Sequence, residues 1–430
     1  MFLGPLNCLK PILRPLYQSV KYHAEICKVR RCQRRALAKL NDKPKIRCVF
    51  FALFEEIWKV DGVYRLMEDH PRFDPVILVC PIVNYGHDNM IRRMNSCYEA
   101  FQRKGYHVIK SYDEANNTYI DVLNDINPDI IFYTNPYPGL IDDRYYIDQF
   151  SNVLTAYVPY FYNEEIRYNA IYDSLFHNIV WRHYIETDFH KGLSRSYSRC
   201  HGCNTVVTGY PGIEQFLNPV SFSDNCWKVK NQELKRVIWA PHHTLEAVGT
   251  CHYSCFLRYC DFMLDMAKRY RDKVQFVFKP HPLLKNKLCE LWGSEKTEAY
   301  YDQWAHMENT TIVEGEYVDL FLSSDAMIHD SGSFLIEYLY VNKPVMRTLN
   351  DIPLESMYNQ FALNCLDQYY KARCEQDIEQ FIQNVINGID PLKAQRTKFI
   401  HEALIPNGSP SQNIIDDILD SIDNQILYRN

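Results

Sequence analysis

Polar residues suited to phosphate chemistry follow three apolar segments in the second half of the sequence. Each segment has the length and composition of a buried strand, and the polar residues begin where that strand is predicted to end. The three polar stretches are Pro241-His242-His243-Thr244, Lys279-Pro280-His281-Pro282 and His329-Asp330-Ser331-Gly332-Ser333. Ligands of open α/β sheets bind beyond the carboxyl ends of the strands, so we expect the three stretches to form one shared site.

The residue types in these stretches favour a phosphate-bearing ligand. Lys279 leaves an apolar strand and would need an anion if it were buried. His281 is held between two prolines and could stabilise a pyrophosphate or donate to a leaving phosphate. The turn formed by Ser331, Gly332 and Ser333 precedes a predicted helix at 334–341, so its backbone N–H groups could hold a phosphate. The alternative is that one of the serines only caps this helix.

Four neighbouring residues complete the predicted site. Asp330 could act as a general base or orient a histidine, and we predict His242 as a further catalytic residue. His243 and Glu337 are predicted to contact the ribose or the nucleotide. For Glu337 the alternative is an exposed helical carboxylate.

Several common cofactor signatures are missing from the sequence. There is no G-x-x-x-x-G-K-[ST] motif, which argues against ATP hydrolysis, and no G-x-G-x-x-G motif for a dinucleotide. No carboxylate pair demands a metal, so we predict neither a metal nor a cofactor. The alternative is zinc, because Cys200-His201-Gly202-Cys203 and Cys251-His252-Tyr253-Ser254-Cys255 have near-zinc spacing, although the chain has 15 cysteines and chance could explain both.

Short apolar strands alternate with helices twice along the chain. This alternation predicts an α/β protein of two Rossmann-like domains, each with a parallel sheet covered on both faces. The first series of predicted strands lies at 46–53, 75–80, 107–110, 129–133, 154–160 and 206–208, and the second at 236–240, 274–278, 310–313, 326–328 and 345–349. We place a first domain at 46–220, a second at 235–408 and a separate C-terminal helix at 409–430.

The first 45 residues are strongly basic, with eleven lysines and arginines against two carboxylates, whereas the rest of the chain is acidic. A helix predicted at 19–40 could place Val20, Ile26, Cys27 and Leu37 on an apolar side. We therefore interpret 1–45 as an amphipathic segment on an anionic membrane surface, the alternative being a solvated helix packed on the acidic body. No motif supports nucleic-acid binding.

The cysteines are interpreted as reduced thiols of a cytoplasmic protein. The sequence contains no run of about 18 apolar residues that could span a membrane.

The motifs together resemble the CDP-glycerol glycerophosphotransferase family of teichoic-acid and related polysaccharide synthesis in bacteria. The resemblance rests on VIWAPHHT (237–244), FKPHP (278–282), YVDLFLSSDAMIHDSGSFLIEYLYVNKPV (317–345) and VVTGYP (206–211). It implies a glycosyltransferase-B fold with two domains facing across a cleft, and an enzyme at the inner face of the cell membrane. It also implies transfer of glycerol phosphate from CDP-glycerol to a hydroxyl of a glycan or lipid-linked acceptor, with release of CMP. His281 takes the family's His-Pro position, and Asp330, Ser331 and Ser333 its Asp-x-Ser-Ser-like turn.

One motif of the family is missing. Its polymerases carry a Trp-His-Gly motif whose histidine is the favoured base, whereas the comparable region here reads AYVPYFYNEE (156–165). Tyr157, Tyr160, Glu164 or Glu165 could replace that base. Two further hypotheses remain: a nucleotide-sugar glycosyltransferase on the same fold, and a non-catalytic membrane-associated assembly protein.

Overall fold

Two units, each built around its own parallel sheet, make up the chain in a computed structural model. The structure describes residues 6–84, 86–217, 219, 222–230, 233–245 and 253–429, with side chains described from residue 22 onward. Unit 1 comprises Met1–Phe161, Arg167–Gly212 and Pro406–Asn430, and unit 2 comprises Tyr162–Ile166 and Ile213–Ile405.

The first part of unit 1 alternates strands and helices. Its elements are α1 (Leu6–Leu40), β1 (Ile46–Ala52), α2 (Asp61–Asp69), β2 (Phe73–Val79), α3 (His87–Arg103), β3 (Val108–Lys110), β4 (Tyr112–Asp113), β5 (Thr118–Tyr119), β6 (Ile130–Tyr133), β7 (Leu154–Tyr157), α4 (Tyr168–Tyr172), α5 (Leu175–Ile179), β8 (Arg182–Ile185), α6 (Asp188–Tyr197) and β9 (Thr205–Val207). Seven of the strands form one sheet in the order β3-β2-β1-β6-β7-β8-β9, with parallel pairing throughout.

Apolar side chains cover both faces of this sheet. Along β1, Cys48, Phe50 and Ala52 enter one buried cluster, whereas Val49 and Phe51 enter another. Successive side chains of a strand point to opposite faces, so a strand buried on both sides must be apolar at every position. The near-continuous apolar sequence IRCVFFA of β1 meets this requirement.

The basic helix α1 is packed into unit 1 along its described length. Ile26, Val29, Leu37 and Leu40 are buried in the two clusters of this unit, and each contributes about 1.5–3 kcal/mol by leaving water. The apolar side of this helix, which the sequence analysis assigned to a membrane, is therefore used inside the protein. Of the four residues predicted for that side, Cys27 is exposed and the side chain of Val20 lies outside the described part.

Unit 2 repeats the alternation. Its elements are α7 (Glu214–Leu217), β10 (Lys235–Ala240), α8 (Phe256–Arg269), β11 (Val274–Phe278), α9 (Leu284–Trp292), α10 (Ser294–His306), β12 (Thr310–Ile312), α11 (Val318–Ser323), β13 (Ala326–His329), α12 (Phe334–Glu337), β14 (Val345–Thr348), α13 (Gln360–Leu366), β15 (Tyr370–Ala372), α14 (Glu375–Ile386) and α15 (Lys393–Phe399). The six strands form a parallel sheet in the order β12-β11-β10-β13-β14-β15.

The strand order of unit 2 reverses direction between β10 and β13. Counted within the unit it is 3-2-1-4-5-6, the order of a doubly wound dinucleotide-binding fold. In such sheets the crossover helices on the two sides of the reversal lie on opposite faces, which opens a crevice at the carboxyl ends of the two central strands. Here those ends are Ala240 and His329, which are paired in register. The fold therefore places two of the three predicted polar stretches at the switch point.

The last helix, α16 (Pro410–Asp423), returns to unit 1. Ile414, Ile418 and Ile422 are fully buried in a core cluster of that unit, so this helix is part of the domain and not the separate segment predicted from the sequence. Two further boundaries differ from the prediction: unit 2 resumes at Ile213, and residues Tyr162–Ile166 also belong to it. Backbone hydrogen bonds explain the second difference, because the N–H of Asn359 donates to the carbonyl of Glu164, 2.7 Å away.

No helix in the described residues is both long and apolar enough to cross a lipid bilayer.

Candidate functional site

Three imidazole rings meet at the carboxyl edge of the unit 2 sheet. The ring centroids of His242 and His243 are 4.3 Å apart, those of His242 and His281 4.8 Å, and those of His243 and His281 4.0 Å. The backbone N–H of His281 donates to the carbonyl of Pro241 at 3.1 Å, so the sheet ladder continues beyond the strands and fixes the two loops together. The structure thus brings the first two predicted polar stretches into contact.

Backbone contacts set where these histidines carry their protons. Nδ1 of His281 accepts the N–H of Leu283 at 3.1 Å, and Nδ1 of His242 accepts the N–H of Thr244 at 3.4 Å. An imidazole that accepts at Nδ1 carries its single proton at Nε2, which leaves Nε2–H as a donor. Burial, and then neighbouring positive or imidazole groups, lower the pKa of His242 to about 2 and that of His281 to about 3. Both rings are therefore neutral hydrogen-bond donors at physiological pH.

The same three histidines could in principle hold a metal ion, since one nitrogen from each lies within 4.8 Å of the others. A metal ligand must present a lone pair, however, and two of the three rings already use one nitrogen as acceptor and carry a proton on the other. Lys279 also places positive charge against His281. The arrangement fits an anion better than a cation. Of the alternative zinc motif, Cys251 and His252 lie outside the described residues, and Cys200 and Cys203 lie in unit 1.

Lys279 is buried, with 6% of its surface exposed. Its Nζ donates to the carbonyl of Gly315 at 2.9 Å and lies 5.7 Å from the ring centroid of Tyr317. A buried ammonium group is stabilised by negative charge nearby, so Lys279 remains a candidate contact for an anion.

Asp330 has a different role from the predicted general base. Its Oδ1 accepts the N–H of His242 and its Oδ2 accepts the N–H of Cys255, both at 2.6 Å. Burial raises the pKa of this carboxyl to about 6, although the two N–H bonds counteract the shift. His242 and Cys255 lie at the two ends of the connection between β10 and α8, so Asp330 is a positioning residue that holds both ends of this connection against the end of β13.

The turn after Asp330 differs in detail from a phosphate loop leading into a long helix. Ser331 is buried and Ser333 is exposed, and the predicted helix consists of one α-helical turn, α12, followed by a 3₁₀ segment at Tyr338–Val341. A side chain at Gly332 would collide with Oε1 of Glu164. The glycine is therefore required for the approach of this carboxyl group.

Glu164 lies beside the turn with 8% of its surface exposed. Burial raises the pKa of Glu164 to about 8, while Arg347 opposes the shift and Glu165 adds to it. The sequence analysis named this residue only as one of four substitutes for the missing histidine. Its neighbour Glu165 accepts a hydrogen bond from the hydroxyl of Tyr253 at 3.1 Å.

Arg347 is the functional candidate that sequence reasoning missed. It is 1% exposed, and its guanidinium donates to the carbonyl of Ser331 at 2.9 Å and to the hydroxyl of Tyr358 at 2.6 Å. No carboxylate within 4 Å pairs with it among the described residues. The sequence did contain a signal, because an arginine within the buried strand VMRT needs nearby hydrogen-bond acceptors or negative charge to offset the cost of burying its guanidinium.

Two polar residues near this turn, Glu337 in α12 and His329 at the end of β13, contact tyrosine hydroxyls. Glu337 is buried and accepts a hydrogen bond from the hydroxyl of Tyr317, so the structure supports neither ribose binding nor the exposed carboxylate. His329 is also buried, and its Nε2 contacts the hydroxyl of Tyr369 at 3.2 Å. His329 on the strand and Glu337 on the helix are therefore part of the buried core, whereas Asp330 to Ser333 lie at the candidate site.

The family predicted from the motifs also emerges from comparison with known proteins. A family model described as CDP-glycerol:poly(glycerophosphate) glycerophosphotransferase matches residues 192–403. No curated protein sequence matches the chain.

Solved structures with the same fold cover nearly the entire chain. The wall teichoic acid polymerase TagF superposes with a TM-score of 0.58 at 14% identity, covering 98% of this chain and 99% of that one. The UDP-GlcNAc 2-epimerase from Neisseria meningitidis, in a structure bound to UDP-GlcNAc, gives a TM-score of 0.53 at 16% identity and covers 87% of this chain and 100% of that one. A putative UDP-N-acetylglucosamine 2-epimerase from Listeria monocytogenes gives 0.55 at 14% identity, covering 90% and 99%. At these identities the likeness concerns the fold, and it confirms the predicted α/β architecture of glycosyltransferase-B type.

The matched segment contains His242, His243, Lys279, His281 and the turn after Asp330. The family model described as CDP-glycerol:poly(glycerophosphate) glycerophosphotransferase thus matches the segment that carries the predicted motifs, in agreement with the predicted family and with a transferase.

Proposed function

We propose that this protein transfers glycerol phosphate from CDP-glycerol to a hydroxyl group of a cell-surface polysaccharide or lipid-linked glycan and releases CMP. One observation carries the proposal: neutral imidazole donors and a buried lysine lie at the same carboxyl edge of the unit 2 sheet, inside the segment matched by the family model. Two neighbouring phosphates need several N–H donors and at least one positive charge, and this edge supplies both.

The chemistry assigned to these residues is an in-line displacement at the β-phosphorus. The acceptor oxygen forms a bond to this phosphorus while the bond to the oxygen bridging the two phosphates breaks, and CMP leaves with that oxygen. Nε2–H of His281, Nε2–H of His242 and the ammonium of Lys279 stabilise the negative charge that develops on the leaving phosphate. Such preorganised donors are worth about 3–4 kcal/mol each when they act mainly on the transition state.

The acceptor hydroxyl must also lose a proton, and Glu164 is the proposed recipient. It lies beside the turn at Gly332 and has a raised pKa, so in its ionised form it is a stronger base than an ordinary glutamate. Asp330 and Arg347 hold the surrounding loops through backbone groups. We therefore assign positioning roles to Asp330 and Arg347, and we assign the proton transfer to Glu164.

An anionic membrane surface remains the proposed partner of the basic segment, with a revised mode of contact. Because the apolar side of α1 is buried in unit 1, attraction would be electrostatic and would use the outward basic side. The exposed basic residues in this part of the chain are Lys28, Arg31, Arg34, Arg35, Lys39 and Lys45. Such attraction would bring the enzyme to a lipid-linked acceptor at the inner face of the membrane.

Calorimetric binding of CDP-glycerol to the full-length protein, with CDP, UDP-glucose and GDP-mannose as competitors, tests the donor assignment. We expect preference for CDP-glycerol, release of CMP when an acceptor glycan is added, and binding weakened at least tenfold by His281→Ala. The exposed His306 of the same unit provides the matched control, and His306→Ala should leave binding unchanged. Preference for a UDP- or GDP-sugar would replace the proposal by a glycosyltransferase, and absence of binding would favour the assembly protein.

A further inference from the structure

A tight turn in unit 1 holds two cysteines at its ends. The backbone N–H of Cys203 donates to the carbonyl of Cys200 at 3.2 Å, and the two residues between them, His201 and Gly202, have φ values of 52° and 62°. Two central residues in the left-handed region with this hydrogen bond are typical of a type I′ β-turn, whose outer Cα atoms lie within about 7 Å. Disulfides span Cα separations of about 4.4–6.8 Å, so the turn holds the two cysteines at bridging distance.

Packing makes this turn rigid. A side chain at Gly202 would lie 2.8 Å from Oγ1 of Thr205 and 3.1 Å from the backbone nitrogen of Arg195. The N–H of Gly202 donates to the hydroxyl of Ser198 at 2.9 Å. The backbone of the turn is therefore held in the conformation that keeps the two cysteines close to each other.

The surroundings give the two sulfur atoms different roles. Cys200 is buried, with its Sγ 3.2 Å from Oδ1 of Asn204. The amide nitrogen of Asn204 donates to the carbonyls of His177 and Val180 at 2.9 and 2.8 Å, which fixes Oδ1 as the atom facing the sulfur. An amide oxygen only accepts hydrogen bonds, so Cys200 is held as a thiol that donates its S–H.

Cys203 is half-buried and faces a positive charge instead. One NH₂ group of Arg30, on α1, donates to Sγ of Cys203 at 3.2 Å, and the guanidinium lies 4.9 Å from the ring centroid of Tyr428. Within the described residues Arg30 forms no ion pair with a carboxylate, and its buried Nε has no hydrogen-bond partner. A thiolate at Cys203 would supply the missing negative charge, and a neighbouring arginine is the setting in which cysteines become nucleophilic.

We propose that Cys200 and Cys203 form a redox-active dithiol that low-molecular-weight disulfides, such as oxidised glutathione, convert to an intramolecular disulfide. The Cys203 thiolate attacks one sulfur of the small disulfide, the S–S bond breaks, and the first small thiolate leaves. Cys200 then gives its proton to that thiolate while its sulfur attacks the sulfur of Cys203, and the second small thiolate leaves. Two electrons pass from the protein to the small disulfide. The inference does not depend on the proposed transferase activity.

The test is mass-spectrometric mapping of the full-length protein after incubation in glutathione buffers of increasing oxidation. We expect the mass of the peptide containing residues 200–203 to fall by two hydrogens and its two cysteines to become resistant to alkylation. The exposed Cys27 and Cys374 should not form a bridge. In Cys200→Ser, which lacks the second thiol, Cys203 should retain glutathione as a mixed disulfide.

The role of the arginine is tested by reaction rate. Arg30→Gln should slow the reaction of Cys203 in the Cys200→Ser background roughly tenfold, since about one unit of thiol pKa changes the thiolate fraction by that factor. Arg31→Gln on the exposed side of the same helix is the matched control and should have no effect. The proposal is overturned if the pair stays alkylatable in oxidised glutathione alone, or if Cys203 reacts no faster than Cys374.

Discussion

Each unit contains a group of three histidines, and the two groups differ in their partners. In unit 1, His177, His183 and His190 are at most 5% exposed. Nδ1 of His177 contacts the hydroxyl of Ser174 at 2.7 Å, and Nδ1 of His190 contacts that of Thr187 at 2.8 Å. These hydroxyls also cap helices α5 and α6, so the rings are held by local helix-start structure.

The group in unit 2 lies on loops beyond strand ends, with His243 and His281 reaching the surface. Burial lowers the pKa of His177 and of His281 to the same value, about 3, so protonation does not distinguish the groups. The two groups differ instead in the exposure of their side chains, in their position relative to the switch point and in the cations next to them. The comparison teaches that crowded histidines indicate a ligand site only when their donor atoms can reach one.

The largest expected effect is the loss of activity in His281→Ala. Removal of the Nε2–H donor should lower turnover about a thousandfold, within the range observed for a single charge-stabilising or proton-transferring group. The melting temperature should change little, because the ring is partly exposed. Steady-state release of CMP measures the first quantity and calorimetric unfolding the second. If the variant were as active as the unmutated protein, the histidines of unit 2 would have no more part in the reaction than those of unit 1, and the comparison would fail.

Glu164→Gln is expected to lower turnover about a hundredfold while donor affinity stays within about threefold, because a base acts on the acceptor and not on the donor. The residual activity should also lack the rise with pH that is expected of the unmutated protein as Glu164, whose pKa burial raises to about 8, becomes ionised. Glu165→Gln is the matched control and should retain the pH dependence. An unchanged pH profile in Glu164→Gln would assign the proton transfer to another group.

In unit 1, His177→Ala should affect stability and leave chemistry intact. Loss of the buried ring and of its contact with Ser174 is expected to destabilise the fold by about 1–3 kcal/mol. Turnover per folded molecule should be unchanged at a temperature well below the unfolding transition. A urea titration alongside the CMP assay measures both. Loss of turnover in a fully folded variant would show that this group also serves the reaction.

The pH dependence of stability gives the smallest expected effect. His177 has a lowered pKa in the folded state, so the unfolded chain binds more protons between about pH 3 and 6.5, and stability falls as the pH drops below 6.5. Glu164 has a raised pKa, so the folded state binds more protons between about pH 4.5 and 8, and stability falls as the pH rises through this window. Melting temperatures should therefore be less acid-sensitive in His177→Ala and less alkali-sensitive in Glu164→Gln, each relative to the unmutated protein.

Some polar positions carried no sequence signal for their structural role. Strand β8 was not predicted, because its sequence RHYI places an arginine and a histidine in a buried strand. Nε of Arg182 pairs with Oδ2 of Asp417 on α16 at 2.9 Å, a partner more than 200 residues away in the chain. The role of Asp330 was hidden for the same reason, since the backbone N–H groups that bond its carboxylate come from the distant connection between β10 and α8.

The sequence by itself determined the two Rossmann-like halves, the resemblance to the glycerophosphotransferase family and the convergence of His242, His243 and His281. Apolar strand periodicity and short motifs are local properties, and the carboxyl ends of parallel strands must share one edge. Tertiary structure alone decided that Gly332 accommodates Glu164, that Arg347 supports the turn and that α1 is buried along its apolar side. The reason is physical: whether a charged group is buried, paired or free to act depends on atoms that distant segments bring next to it.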